Sequence, residues 1–157
     1  MAAVESGIVV RRVDPAADAG LAAALLKLQH AAYAIEAELI GDDRIPALHE
    51  SVAELRGADL RWLVAFDGAE PVAAIGWTED ESLVDIDRLV VAPRAHRRGL
   101  GSALVRTVLQ HRRERRVQVS TGRDNPPARR LYEGLGFAHV EDREVLPGLW
   151  VSDYRLG

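Results

Sequence analysis

The spacing of hydrophobic residues along the 157-residue chain predicts short strands interspersed with amphipathic helices. Some segments alternate apolar with polar residues or form short apolar runs, as strands do, and others repeat apolar residues every three or four positions, as helices do. The predicted strands are 8–13, 62–66, 72–77, 83–91, 117–119, 137–145 and 149–155. The predicted helices are 21–39, 46–55, 100–109 and 126–135. This mixed order favours one central sheet with helices on its faces.

Residues that favour helix ends and turns mark several boundaries. Asp14 precedes a proline and can cap a following helix. Gly41 is placed to end the first long helix, and the Asp67-Gly68 pair predicts a tight turn between two strands. We therefore expect a hairpin over 62–77.

Composition is typical of a soluble protein with one domain, here residues 1–157. The hydrophobic fraction is 48% and the mean hydropathy is -0.08, and no run approaches the roughly eighteen apolar residues that a membrane span needs. The segment from Met1 to Gly7 lacks the basic-then-apolar pattern of an export signal. Cysteine is absent, which excludes disulfides, thiolate nucleophiles and zinc–sulfur sites. We expect a cytoplasmic protein without a bound metal.

Charge is unevenly distributed along the chain. Eleven arginines and two acidic residues lie between Arg94 and Arg130, although the net charge of the whole chain is -4. The arginine-rich segment suits an anionic ligand, and the acidic remainder suits a cationic one.

A basic loop with two glycines joins a predicted strand to a predicted helix within residues 89–102. Backbone N–H groups at the start of a helix lack partners, and the helix dipole adds positive potential there. Gly99 and Gly101 allow a ligand to approach the backbone, and Arg97 and Arg98 add charge. The loop is predicted to bind a pyrophosphate, although an ordinary helix start with solvated arginines has the same pattern.

A second motif occupies residues 125–137, which read N-P-P-A-R-R-L-Y-E-G-L-G-F. With the glycine loop it resembles the GCN5-related N-acetyltransferase (GNAT) superfamily, in which a helix N-x-x-A-x-x-L-Y-x-x-x-G-F follows a basic G-x-G loop and a further strand. The matching residues are Asn125, Ala128, Leu131, Tyr132, Gly136 and Phe137. The resemblance implies an α/β (α+β) fold with a mixed, mostly antiparallel sheet flanked by helices. It also implies transfer of an acetyl group from acetyl-CoA to a primary amine, by direct attack in a ternary complex.

The resemblance assigns acetyl-CoA, as cosubstrate, to particular residues. The strand end would bind pantetheine and offer an N–H to the thioester oxygen through Leu89, Val90 and Val91. The loop would bind the pyrophosphate through His96, Arg97, Arg98, Gly99, Leu100, Gly101 and Ser102. Asn125 would lie near the pantetheine arm, and Tyr132 would act as general acid beside the sulfur. His96 departs from the usual Gln or Arg, so altered affinity is expected there.

The general base is predicted on the strand 83–91. Regular alternation places Asp85 and Asp87 on the face of Leu89 and Val91. Asp85 matches a position where some relatives carry a catalytic glutamate, and it would act through a water. Both aspartates could instead pair with Arg88 or with solvent.

The acceptor is expected to be a small cationic amine. The residues predicted to bind it are Tyr33, Glu36 and Asp87. Tyr33 and Glu36 lie where the family places its variable substrate-binding helices, although charged residues on a helix often form a solvated face.

Three alternatives share these sequence features. A peptide or protein acceptor would use the same motifs, and a non-catalytic CoA-binding module would fit the change at His96. A nucleic-acid binder could use the basic run 111–116, but the acidic net charge and the 5% aromatic content count against it. Membrane binding is not expected, and a homodimer is reasonable for the family.

Overall fold

The computed structural model describes residues 2–5 and 7–157. Within these residues the strands are β1 (Ala2–Glu5), β2 (Ile8–Val13), β3 (Arg61–Asp67), β4 (Glu70–Glu79), β5 (Leu83–Val91), β6 (Arg116–Gly122), β7 (Ala138–Leu146) and β8 (Leu149–Leu156). The α-helices are α1 (Ala19–Ile40), α2 (Val52–Gly57), α3 (Leu100–Gln110) and α4 (Pro126–Gly134). Single 3-10 turns occur at Pro15–Ala17, Pro46–His49 and Pro93–Ala95. Strand β1 was not predicted from the sequence.

All described strands belong to one eight-stranded sheet in the order β1-β2-β3-β4-β5-β6-β8-β7. Neighbouring strands are antiparallel, except that β5 and β6 are parallel because α3 connects them across one face. The predicted mixed, mostly antiparallel sheet flanked by helices is confirmed.

Helices cover both faces of the central strands. Helices α3 and α4 pack on one face, with Leu104 and Val105 fully buried, and α1 and α2 pack on the other, through Leu25 and Leu55. Every residue from Trp62 to Phe66 in β3 is therefore buried, which explains why this strand is a continuous apolar run.

The first long helix has the ends that its sequence favours. Asp18 accepts a hydrogen bond from the Leu21 N–H at 3.0 Å, and Gly41 ends α1 in the left-handed conformation with φ 71°. Asp14 caps the preceding 3-10 turn through the Ala16 N–H.

The predicted start of the helix 46–55 is wrong. Residues Pro46–His49 form a 3-10 turn, and α2 begins only after Ser51. Ser51 and Glu54 form a capping box, in which each side chain accepts a hydrogen bond from the other residue's N–H. This reciprocal pair fixes the helix start at Val52.

A β-bulge in β5 changes which residues share a face. Gly76 of β4 pairs with Arg88, but the next residue, Trp77, pairs with Ile86, so one extra residue, Asp87, lies between the two pairs. Alternation is therefore interrupted. The residues of β5 on the α3 face are Val84, Ile86, Leu89 and Val91.

The prediction that the two aspartates share the face of Leu89 and Val91 is accordingly wrong. Asp85 pairs with Thr78 and alternates with Ile86, which places it on the opposite face. Asp87 lies in the bulge itself. The prediction assumed a regular strand, and a single extra residue reverses the face of everything on one side of it.

Strands β5 and β6 separate beyond the bulge. Their parallel pairing joins Leu83–Ile86 to residues 116–119 and ends there. Beyond that point β5 stays paired with β4 as far as Val91, and β6 stays paired with β8 as far as Gly122. The sheet is thus open between the carboxyl-terminal halves of its two parallel strands.

Arg88, beside the bulge, is held in a buried polar network that joins β5 to α1 and to the segment before α2. Its guanidinium donates to Glu50 Oε1 at 2.7 Å, to Gln29 Oε1 at 2.8 Å and to Asp87 Oδ2 at 2.7 Å. Arg88 is 8% exposed, and such a buried charge is tolerated because its donors are paired.

We predict that Arg88→Leu lowers the free energy of unfolding by about 3 kcal/mol or more, because Glu50 is left without its cation in a largely buried position. Urea unfolding measures the change. Arg94→Leu is the matched control, since Arg94 forms only exposed ion pairs and should lose less than about 1 kcal/mol. Equal losses in the two variants would contradict a structural role for the network.

Candidate active site

A cleft of about 690 Å³ lies at the opening between β5 and β6. Its walls come from the end of β5, the loop before α3, the first turns of α3 and α4, and one side of α1. The predicted site residues that line it are Tyr33, Glu36, Leu89, Val90, Val91, His96, Arg97, Gly99, Leu100, Gly101, Ser102 and Asn125. Its volume is that of a site for a cofactor-sized ligand.

The loop before α3 has a backbone suited to an anion. Arg97 and Gly99 both adopt left-handed conformations, with φ 66° and φ 72°, and Gly99 directly precedes α3. Left-handed residues next to a helix start bring successive N–H groups together in a concave arrangement that attracts anions. The His96 ring contacts the Val91 carbonyl oxygen at 3.3 Å, which ties the loop to the end of β5.

Gly101 allows α3 and α4 to approach each other at the cleft. A Cβ atom there would lie 3.3 Å from Leu131 Cδ1 and 3.6 Å from Leu89 Cδ2. The glycine therefore serves helix packing as well as access to the backbone.

Arg98 is half-buried and does not line the cleft. Arg130 of α4, which the sequence reasoning did not single out, does line it. Arg130 lies within the motif 125–137, and its position in that motif is the feature of the sequence that could have identified it.

Asn125 begins α4 and joins it to α1. Its Oδ1 accepts the Ala128 N–H at 3.3 Å, and its side chain also hydrogen-bonds to Glu36. A Cβ added at Gly122 would lie 3.6 Å from both Asn125 Cβ and Glu36 Oε1. The backbone of Gly122 therefore lies against both side chains.

Tyr132 is not among the described residues that line the cleft. It is buried at 4% exposure, with its ring edge against Phe137 at a centroid distance of 5.5 Å. Burial raises the pKa of Tyr132, and the nearby Glu36 carboxylate raises it further. Burial likewise raises the pKa of Tyr33, with Glu36 the next cause. Burial raises the pKa of Glu36 itself, and the Asn125 hydrogen bond opposes that shift. Tyr33, Glu36, Asn125 and Tyr132 therefore form one interacting group.

The two predicted aspartates are not among the described residues that line the cleft. Asp85 is half-buried on the opposite face, where burial raises its pKa and a hydrogen bond with Gln118 opposes the shift. Asp87 forms an ion pair with Arg88 at 2.7 Å, which was the alternative considered for it. It still acts electrostatically on Tyr33.

The sequence reasoning missed the apolar wall of the cleft and the buried arginine network. Ala32, Ile35 and Leu39 line the cleft beside Glu36, whereas their spacing in the sequence indicates only that they share the apolar face of the predicted helix 21–39. Arg88 is itself buried in β5, two positions from the buried Ile86 and Val90, and an arginine in such a position requires an acidic partner.

No cluster of three or more potential metal-binding side chains occurs in residues 2–5 and 7–157. Within the same ranges, no helix combines the length and the apolar character needed to span a bilayer.

Known proteins share this sequence pattern and fold. Residues 22–137 match the sequence model of the Acetyltransferase (GNAT) family. UPF0157 protein YqkA of Bacillus subtilis is 33% identical over 140 residues, which make up 88% of this chain and 41% of YqkA. The chain thus spans less than half the length of that relative.

Two solved structures are similar in fold at low sequence identity. The ribosomal-protein-S18-alanine N-acetyltransferase of Escherichia coli is 15% identical, with a TM-score of 0.76 over 95% of this chain and 92% of that one. The yncA protein of Salmonella typhimurium, solved with acetyl-CoA, is 16% identical, with a TM-score of 0.68 over 96% and 93%. The fold is that of the GNAT acetyltransferases, and this chain belongs to the GNAT family.

We predict that no tyrosine of the folded protein ionises at the usual pKa of about 10. All three tyrosines, Tyr33, Tyr132 and Tyr154, have a raised pKa, in each case chiefly because of burial. In a pH titration followed by ultraviolet absorbance, phenolate should therefore appear at higher pH in the folded protein than in protein unfolded by denaturant. Because the unfolded state ionises first, stability present below about pH 10 should be lost as the pH rises further. A tyrosine titrating normally in fully folded protein would contradict this.

Proposed function

We propose that the protein transfers the acetyl group of acetyl-CoA to a primary amine, with both substrates bound in the cleft at once. The observation that carries the proposal is the opening between β5 and β6, with a basic, left-handed loop at one end and Tyr132 near the other. Membership of the GNAT family and the shared fold of yncA, solved with acetyl-CoA, support it.

The residues present fit acetyl-CoA. The loop at His96 and Arg97, the start of α3 at Gly99 and the exposed Arg130 supply positive charge and backbone N–H groups for phosphates. The end of β5 supplies unpaired strand edge for the amide-containing pantetheine arm, because β6 no longer pairs there. The absent Cβ of Gly101 keeps the floor of the cleft open.

Acetyl-CoA supplies an activated acetyl group as a thioester, and the protein residues position it. A backbone N–H near Leu89 or Val90 would stabilise the negative charge that develops on the thioester oxygen. Tyr132 is protonated at neutral pH, as an ordinary phenol with a pKa of about 10 would be, and burial raises its pKa further. It would donate a hydrogen bond or proton to the departing sulfur. Most of the acceleration would come from holding the two substrates together.

We expect Arg97→Gly to weaken acetyl-CoA binding about tenfold, the equivalent of one lost charged contact. Folding should not suffer, because glycine accepts the positive φ without strain. Titration calorimetry and thermal unfolding measure the two effects. The matched control is Arg113→Gly, which removes an exposed arginine with φ 52° outside this cleft. Similar affinity losses in both variants would contradict a local role for Arg97.

Tyr132→Phe should lower kcat about tenfold to a hundredfold while acetyl-CoA affinity stays nearly constant. The thiolate is already a good leaving group, with a thiol pKa of about 8.5, so the loss is modest. Steady-state kinetics and calorimetry separate the two quantities. Tyr154→Phe, at a buried tyrosine bonded to Glu133 and Arg129, should leave kcat unchanged. An unaltered kcat in Tyr132→Phe would exclude the acid role.

A further inference from the structure

The cleft is electrically polarised from one end to the other. Its basic lining residues are His96, Arg97 and Arg130, all from the loop before α3 or from α4. Glu36 is the one carboxylate among the described residues that line it. A ligand that bridges the cleft is therefore expected to be anionic at the loop and cationic at Glu36.

Glu36 lies within an apolar stripe on α1. Ala32, Ile35, Glu36 and Leu39 follow the spacing i, i+3, i+4, i+7 and line the cleft together. Ile35 is 37% exposed and Leu39 is 48% exposed. Each could therefore bury further apolar area against a ligand that contacts the carboxylate.

The Glu36 carboxylate has a hydrogen-bond partner but no ion-pair partner. A hydrogen bond with the Asn125 side chain lowers its pKa, and within residues 2–5 and 7–157 no arginine, lysine or histidine forms an ion pair with it. A half-buried carboxylate with only neutral neighbours binds a cation more strongly than a carboxylate that is already paired. Asp87, by contrast, is already paired with Arg88.

We propose that Glu36 binds the ammonium group of the acceptor and then takes its proton, and that Ile35 and Leu39 bind an apolar body carrying that single charge. This deepens the proposed acetyl transfer and rests on it. The acceptor class is a primary amine with one positive charge on an otherwise apolar skeleton.

The proton transfers balance. The ammonium gives one proton to the Glu36 carboxylate, which later releases it to solvent. The neutral amine nitrogen then forms a bond to the carbonyl carbon of the thioester as the carbon–sulfur bond breaks. The second proton leaves the nitrogen for solvent as the amide forms. Tyr132 gives its proton to the sulfur and regains one from solvent. The net products are an N-acetyl amide, CoA thiol and one proton.

The groups facing Glu36 favour this role. Tyr33 lies on α1 itself, Tyr132 and Asn125 come from α4, and the end of β5 presents only Leu89–Val91. The basic groups His96, Arg97 and Arg130 lie elsewhere in the same cleft. Burial raises the pKa of Glu36, which makes its carboxylate a better proton acceptor once it is ionised at neutral pH.

The test compares the pH dependence of kcat/KM in Glu36→Gln and Glu38→Gln, with hexylamine as the probe acceptor. Release of CoA thiol can be followed with a thiol reagent, because the protein has no cysteine. Glu38 is exposed on α1 outside the cleft, so its variant is the matched control for loss of one charge. Glutamine keeps the size of Glu36 and can still bond to Asn125, which protects the fold.

In wild type and Glu38→Gln, kcat/KM should rise with pH as the Glu36 carboxyl ionises and should be level above that range. Glu36→Gln should lose about a hundredfold near neutral pH. Its kcat/KM should then rise tenfold per pH unit towards the amine pKa of about 10, because only amine that is already neutral reacts. A Glu36→Gln profile of unchanged shape, or an equal loss in Glu38→Gln, would overturn the base role.

The acceptor class is tested by comparing hexylamine with hexamethylenediamine, which adds a second ammonium at the same length. Wild type should prefer hexylamine at least tenfold, since the diamine would place a charge against Ile35 and Leu39. Leu39→Asp should reduce or reverse that preference. A wild-type preference for the diamine, or no transfer to hexylamine by protein saturated with acetyl-CoA, would overturn the proposed class.

Calorimetry with acetyl-CoA separates failure of this inference from failure of the proposed function. Absence of acetyl-CoA binding by wild type would overturn both. Acetyl-CoA binding and transfer that do not depend on Glu36 would overturn only the inference.

Discussion

The separation of β5 from β6 is the constraint on which the candidate site depends. The two strands pair only as far as Ile86 and Val119, and the bulge at Asp87 turns the rest of β5 so that Leu89 and Val91 face α3. A continuous parallel pair would bond the backbone of β5 to β6 and leave no edge for a ligand. Two walls of the cleft lie at this opening, because α3 and α4 begin after the ends of β5 and β6.

The elements around the opening are fixed by two different kinds of interaction. On the α3 face the contacts are apolar and close, as at Gly101, where a single Cβ would press on Leu131. On the α1 face a buried network centred on Arg88 joins the bulge to Gln29 and Glu50. The network places α1, and with it Glu36, next to the bulge that opens the sheet. Residues of β5 therefore contribute both to the packing of α3, beside the proposed acetyl-CoA site, and to the position of α1, which carries Glu36.

Much of the fold follows from local sequence, because it is encoded by periodicity and by end signals. The long helix ending at Gly41, the hairpin 62–77 and the glycine loop were predictable in this way. The start of α2 is also encoded in the sequence, by the Ser51–Glu54 capping box, but the predicted helix began at residue 46.

The bulge was not predictable from alternation, since counting every second residue assumes a regular strand. For that reason Asp85 was placed in the wrong position, whereas Tyr132, Asn125 and the loop, which belong to contiguous motifs, were placed near the cleft. The charge distribution in the cleft could not be predicted from the sequence. Glu36 and Asn125, which interact in the folded protein, are 89 positions apart in the chain. The most direct test is a crystal structure of the protein with CoA. We expect the pantetheine arm in the opening between β5 and β6, hydrogen-bonded to the backbone of 89–91, with the pyrophosphate at the loop 96–102. CoA bound elsewhere, or an unbroken β5–β6 pairing along both strands, would contradict it.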